Sequence, residues 1–227
     1  MTGYNLTMLI IFLLVMFIAT LILLIITRLE VERLEHHHYL QRVSFFESQP
    51  SQPGDIIFLG DSLTAGGNWD EVFPGMGIKN RGINADTTAG ALARLGCITE
   101  GKPAAIFILI GTNDLPWYEY RHDELILSTY AQILETIKKE SPGTKIFVES
   151  IFPRAHFQAK RIRLLNPKLK ALAETQGAPY IDVYSRLVDA KGDLRADLNN
   201  DHLHLLGPGY KLWAEALIPH INAVRNQ

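Results

Sequence analysis

The sequence predicts an α/β protein: a three-layer α/β/α sandwich around a five-stranded parallel sheet, preceded by one transmembrane helix. Three observations carry this. From Asp55 onward, short continuous apolar runs alternate with longer stretches of helical periodicity, the pattern of a parallel sheet covered on both faces. The first three of those runs pass directly into small or polar residues, the chemistry of strand-closing turns. Ahead of them, Leu6 to Ile26 forms an apolar segment without a single charge.

That first segment, "LTMLIIFLLVMFIATLILLII", has the length of ~20 residues needed to cross a hydrocarbon core. A cleavable signal peptide is the competing reading. It is disfavoured by the absence of a basic n-region, the length of the apolar run and the lack of a small-x-small cleavage site. Residues 1–27 are therefore expected to be an uncleaved, single-pass membrane anchor. Arg28, Arg33 and Arg42 follow the span, so the positive-inside rule favours a cytoplasmic placement of the chain that follows, on three arginines only. Residues 28–54 read as a charged helical stalk ending in a Ser/Gln/Pro linker, and residues 55–227 as one domain. The run His36-His37-His38 is not a metal site, because consecutive helical residues fan out by about 100° and cannot converge on one ion.

Within the domain the strands are expected in "DIIFLG", "GIKNRG", "AAIFILIG", "TKIFVES" and "APYIDV". The helices are expected in "TTAGALARLGCI", "HDELILSTYAQILETIKKE", "QAKRIRLLNPKLKALAETQG" and "GPGYKLWAEALIPHINAV". With 22 basic and 24 acidic residues scattered along the chain, no nucleic-acid partner is expected. The single cysteine, Cys97, excludes an internal disulfide and a Cys-based structural zinc site. Neither a Gly-x-Gly-x-x-Gly after a strand nor a Walker A motif is present, so no cofactor is implied.

In such sheets ligands bind at the carboxyl ends of the strands, near the point where strand order reverses. The first three strands end in "FLGDSLTAGG", "KNRGINADTT" and "FILIGTNDLPW". Ser62 follows the first, where a turn would lift its hydroxyl above the sheet as a nucleophile. Its own N–H, the Gly82 N–H and the Asn113 side-chain amide could together form an oxyanion hole. "DHLHLLGPGY" adds Asp201 and His204, three apart and able to meet on one side of a turn, as orienter and base. Each piece has a plainer reading: Ser62 as a helix start, Gly82 as a positive-φ residue, Asn113-Asp114 as a turn, Asp201 as a cap between two surface histidines. Their joint occurrence at successive strand ends is what turns alone do not explain.

"GDSLT", "NRGINADTT", "GTND" and "DHLHLLGPGY" resemble the four sequence blocks of the SGNH hydrolases, the GDSL esterases and lipases. The likeness covers Asp55 to the C-terminus and is greatest for the platelet-activating-factor-acetylhydrolase-like and lysophospholipase-like branch. It implies a flavodoxin-like SGNH hydrolase fold. It also implies Ser62 as nucleophile, Ser62, Gly82 and Asn113 as the oxyanion hole, and Asp201 with His204 as orienter and base. Of the two histidines it selects His204, because the family motif is Asp-x-x-His. Glycine more often follows that aspartate in the family; here it is His202, expected to face the entrance. The resemblance implies a serine esterase working through an acyl-enzyme, which the apolar segment would make membrane-anchored. Its substrate would be a small acyl ester such as a lysophospholipid, an acetylated glycan or a small thioester, with short acyl chains favoured because no long apolar lid separates the blocks. Trp69, Trp117, Tyr118, Phe152 and Phe157 are candidate linings of the acyl or leaving-group pocket, or plain packing residues. The rival reading is a membrane-tethered binding or scaffold module of the same fold without turnover.

Overall fold

The computed structural model describes residues 3–115, 122–154 and 157–226. A single long helix, α1 (Gly3–Ser48), opens the chain. Its first half carries the apolar run, and it is long and apolar enough to cross a membrane by length and composition. The chain divides into two units, residues 1–41 and 42–227.

In the second unit the elements follow in the order β1 (Ile56–Gly60), α2 (Ser62–Ala65), α3 (Trp69–Val72), β2 (Ile78–Gly82), α4 (Thr88–Ala93), α5 (Gly96–Thr99) and β3 (Ala105–Leu109). After a short 3-10 turn come α6 (His122–Glu140), β4 (Lys145–Glu149), α7 (Phe157–Thr175), β5 (Tyr180–Ile181), α8 (Tyr184–Leu187) and, after a second 3-10 turn, α9 (Gly207–Arg225). The five strands are all parallel in the order β2-β1-β3-β4-β5. The order reverses at β1, so the carboxyl ends of β1 and β3 flank the place where α/β sheets bind ligands.

Alternation along the strands divides the core into two chemistries. Phe58, Phe107 and Phe147 pair in register across β1, β3 and β4 and share one face. Their rings lie 5.4 and 4.5 Å apart, and α9 covers them with Trp213. Ile57, Leu59, Ile106, Ile108, Ile146 and Val148 point the other way onto α6 and α7, an aliphatic layer that includes Ile133, Leu134, Ile162 and Leu165. Period-2 side-chain geometry is enough to produce this division. The helix α6 carries Asp123 and Glu124 in its first turn and Lys138 and Lys139 in its last, which matches the helix dipole at both ends.

Besides the short helices α2, α3 and α8 and the shortening of the last strand, the structure departs from the expected segmentation at two points that bear on the site. The helix predicted over "TTAGALARLGCI" breaks after Ala93, because Arg94 leaves helical geometry and turns its side chain inward. The compact unit also begins at Arg42 rather than Asp55. Phe46 is fully buried, Ser51 is buried with its hydroxyl on the Ile98 carbonyl, and Arg81 Nη2 donates to the Gln49 carbonyl at 2.6 Å. The end of the expected stalk and the linker are therefore part of the domain's packing.

Candidate active site

The turn after β1 is built by close packing. Gly60 lies so near the Thr64 side chain and the Leu109 carbonyl that a Cβ has no room. Asp61 follows, fully buried, and accepts the Leu63 N–H on Oδ1 at 2.9 Å, which caps α2. Burial pushes its carboxyl up to about 7, the Leu63 N–H opposes the rise, and the nearby Asp86 and Asp114 charges add to it. Ser62 is the first residue of α2, and its Oγ stands 2.9 Å from His204 Nε2.

The partner segment is held by local bonds. Asp201 Oδ2 meets His204 Nδ1 at 2.6 Å, while Oδ1 accepts the Leu203 and His204 N–H groups at 3.0 and 2.7 Å. This is an Asx-type turn in which one carboxylate orients both ring and backbone. Burial raises the Asp201 pKa, but the His204 ring and the two N–H groups outweigh it and leave the carboxyl below its usual value. His202 takes a left-handed φ of 65°, and its N–H donates to Asn199 Oδ1 at 2.7 Å. An unbroken chain of contacts therefore runs Ser62 Oγ, His204 Nε2, His204 Nδ1, Asp201 Oδ2. Of the two histidines, His204 is the one hydrogen-bonded to the serine.

The third element arrives through Gly111, at φ 117°, a conformation that favours glycine. It lets the chain turn from β3 into Thr112–Asp114. Asn113 Nδ2 donates one hydrogen to the Asp86 carbonyl at 2.9 Å, and its second hydrogen has no acceptor among the described residues. Asp114 accepts the Thr88 N–H and hydroxyl at 2.9 and 2.7 Å, which stitches the β3 loop to the β2 loop.

The expected role of Gly82 is not compatible with its surroundings. Its N–H donates to Asn80 Oδ1 at 2.9 Å, and its Cα is pressed against the Ala65 backbone and the Asp61 carbonyl. Gly82 is thus a spacer that lets β2 approach the turn that carries Ser62, with its N–H already committed. Three residues on, Ala85 is exposed, takes φ 59°, and its N–H has no acceptor among the described residues. It lies in the turn whose neighbouring Asp86 carbonyl holds Asn113. Nothing in composition or periodicity marks an alanine as left-handed.

The aromatic pocket candidates also divide. Trp69 is 2% exposed, donates its indole N–H to the Thr64 carbonyl at 2.9 Å and packs on Phe58 and Trp213. Phe152 is 1% exposed against Trp213. Both belong to the core because the aromatic face of the sheet needs that volume filled. Trp117 and Tyr118 lie outside the described residues, as does the side chain of Phe157.

Two arginines went unread in the sequence. Arg94 is buried, pairs with Asp86 at 2.8 Å and donates to the Gly60 carbonyl at 3.1 Å, so it ties the β2 loop to the end of β1. Arg154, after β4, donates to the Thr112 carbonyl at 3.4 Å. Burial lowers its pKa, and the Asp201 and Asp61 carboxylates oppose that shift.

The profile of the GDSL-like Lipase/Acylhydrolase family matches residues 58–212. The chain is 31% identical over 169 residues to the platelet-activating factor acetylhydrolase IB subunit alpha2 of Rattus norvegicus, covering 69% of this chain and 71% of that protein. Among solved structures, it resembles a GDSL-like lipase from Bacteroides thetaiotaomicron with a TM-score of 0.70 and 23% identity, over 81% of this chain and 97% of that one. An acetyl xylan esterase superposes with a TM-score of 0.63 at 18% identity, over 73% and 98% of the two chains. These two likenesses are of fold. With the family profile spanning β1 and the Ser62 turn through the start of the last helix, this protein belongs to the GDSL-like lipase/acylhydrolase family and is an ester-hydrolysing enzyme.

Proposed function

We propose that the protein is a membrane-anchored serine esterase that removes a short acyl group through an acyl-enzyme. The observation that carries the mechanism is the contact chain from Ser62 through His204 to Asp201. Ser62 Oγ attacks the ester carbonyl while His204 Nε2 takes its proton, and Asp201 holds the ring through Nδ1. The tetrahedral intermediate collapses, the C–O bond to the alcohol breaks, and His204 returns the proton to the departing oxygen. Water then attacks the acyl-enzyme by the same route, releasing the acid and restoring Ser62.

The oxyanion is stabilised by the Ser62 N–H, the second hydrogen of the Asn113 amide and, in the position first given to Gly82, the Ala85 N–H. A single such donor can be worth about 3–4 kcal/mol in the transition state. A short acyl group is favoured because the rat relative is named an acetylhydrolase and a fold neighbour an acetyl xylan esterase. Anchoring rests on the apolar length of α1 from Leu6.

A fluorophosphonate probe tests the reading. The wild type is expected to label, Ser62→Ala to remain unlabelled while still folded, and p-nitrophenyl acetate to be hydrolysed only by the former. Labelling that survives in Ser62→Ala would overturn the nucleophile assignment. Release of the full chain from membranes by alkaline wash would overturn the anchor.

A further inference from the structure

Phe46, near the end of α1, has an environment that its place in a stalk does not explain. It is fully buried, and three guanidinium groups surround its ring: Arg42 at 4.7 Å, Arg81 at 4.8 Å and Arg94 at 5.8 Å from the ring centroid. Burying cations around an apolar side chain is unfavourable unless the ring face offers them its negative quadrupole. The need is visible in the donors. Arg94 Nη1 and Arg81 Nε are buried and have no hydrogen-bond partner among the described residues. Arg94 is the member of the group that reaches the site. Its Nε and Nη2 hold the Asp86 carboxylate, and Nη2 also donates to the carbonyl of Gly60. Gly60 leads directly into Asp61 and Ser62, and the Asp86 carbonyl receives the Asn113 amide.

We propose that Phe46 is a positioning residue for the esterase site: its ring seats Arg94 where that side chain grips the end of β1 and the β2 loop together. The nucleophile turn and the Asn113 donor are thereby held in register by a residue of the N-terminal helix. Arg81 supports the same arrangement, since its Nη2 donates to the Gln49 carbonyl one turn beyond Phe46. The segment after the apolar run is then part of the catalytic scaffold as well as a connection to the anchor. This inference rests on the esterase reading above.

The test compares full-length variants in detergent, with active sites counted by fluorophosphonate so that rates refer to folded enzyme. Phe46→Leu keeps apolar volume and removes the ring; Phe46→Tyr keeps the ring; Phe45→Leu alters the neighbouring exposed ring as a control. Phe46→Leu is expected to lower kcat about 10-fold with KM for a small ester changed less than about 2-fold, the scale of a desolvated cation–π contact. Phe46→Tyr should recover most of that loss, and Phe45→Leu should match the wild type. Should Phe46→Leu fail to fold, Phe46→Met is read by the same criteria. The proposal is overturned if the ringless variant turns over at the wild-type rate per active site, if Phe46→Tyr is equally impaired, or if only melting temperature falls. A wild type that neither labels nor turns over would instead sink the esterase reading, and this role with it.

Discussion

Ser62 and His204 meet at 2.9 Å, yet the segments that bring them there are built differently. The nucleophile turn is locked by distant parts of the chain. Asp61, Leu63 and Thr64 are at most 1% exposed, Gly82 of β2 presses on the turn from one side, and Arg94 reaches Gly60 from just beyond the end of α4. The base segment is held by its own neighbours. The Asp201 and His204 side chains are 46% and 45% exposed, and the bonds that shape the turn span two or three residues. A nucleophile must arrive at one angle, so rigidity there is useful. A base that gains, turns over and gives up a proton works at the solvent edge, where an exposed loop with few long-range bonds has more freedom.

The largest effect that could break this comparison lies in the base segment. His204→Ala should reduce turnover by several orders of magnitude, as loss of a member of a cooperating triad does, measured on p-nitrophenyl acetate. His202→Ala should cost about 10-fold or less, through the local field on the triad. The double variant should be no worse than His204→Ala alone. Equal losses in the two single variants would mean that the exposed loop exchanges its histidines and that the observed pairing is not the working one.

Two glycines sharpen the contrast in packing. Gly82→Ala forces a Cβ into the Ala65 backbone and the Asp61 carbonyl, and should destabilise the fold by about 1–3 kcal/mol or more. Gly207, three residues after His204, has nothing within 4 Å of where its Cβ would stand, so Gly207→Ala should stay within about 0.5 kcal/mol. Urea midpoints of the two variants check this. Similar shifts would show that the two arms are equally dense.

A pH dependence of stability separates the arms by sign. Asp61, raised by burial to about 7 from the ordinary carboxyl range, keeps its proton in the folded state after the unfolded chain has lost it. Its contribution is therefore complete below pH 4 and is lost as pH rises toward 7, on the order of a few kcal/mol at most. Glu149, raised by burial to about 8 with the Trp213 indole N–H opposing, acts in the same direction. Asp201, lowered, acts in the opposite direction, weakly because it is half exposed. Asp61→Asn keeps an oxygen for the Leu63 N–H and should flatten the decline in urea midpoint between pH 4.5 and 7. An unchanged slope would show that Asp61 is ionised in the folded protein.

What the sequence by itself determined is what repeats or closes over a few residues. The alternation that splits Ile57 and Leu59 from Ile56 and Phe58, the apolar length of α1, and the Asp201–His204 spacing are set by backbone periodicity and by turns that need only local atoms. The meeting of "GDSLT" with "DHLH" was legible too, through family resemblance, because both follow strand ends or turns with characteristic residues. The tertiary structure alone decided which groups are left available. Gly82 looks like a donor until the Asn80 side chain folds back onto its N–H, and Ala85 carries no mark of its left-handed backbone. Trp69 and Phe152 look like pocket walls until the aromatic face of the sheet consumes them, and Phe46 looks like stalk until Arg81 and Arg94 close around it. The reason is the same in each case: a hydrogen-bond donor or a ring is committed by whichever neighbour the folded chain brings within a few ångströms, and that neighbour stands far away in sequence.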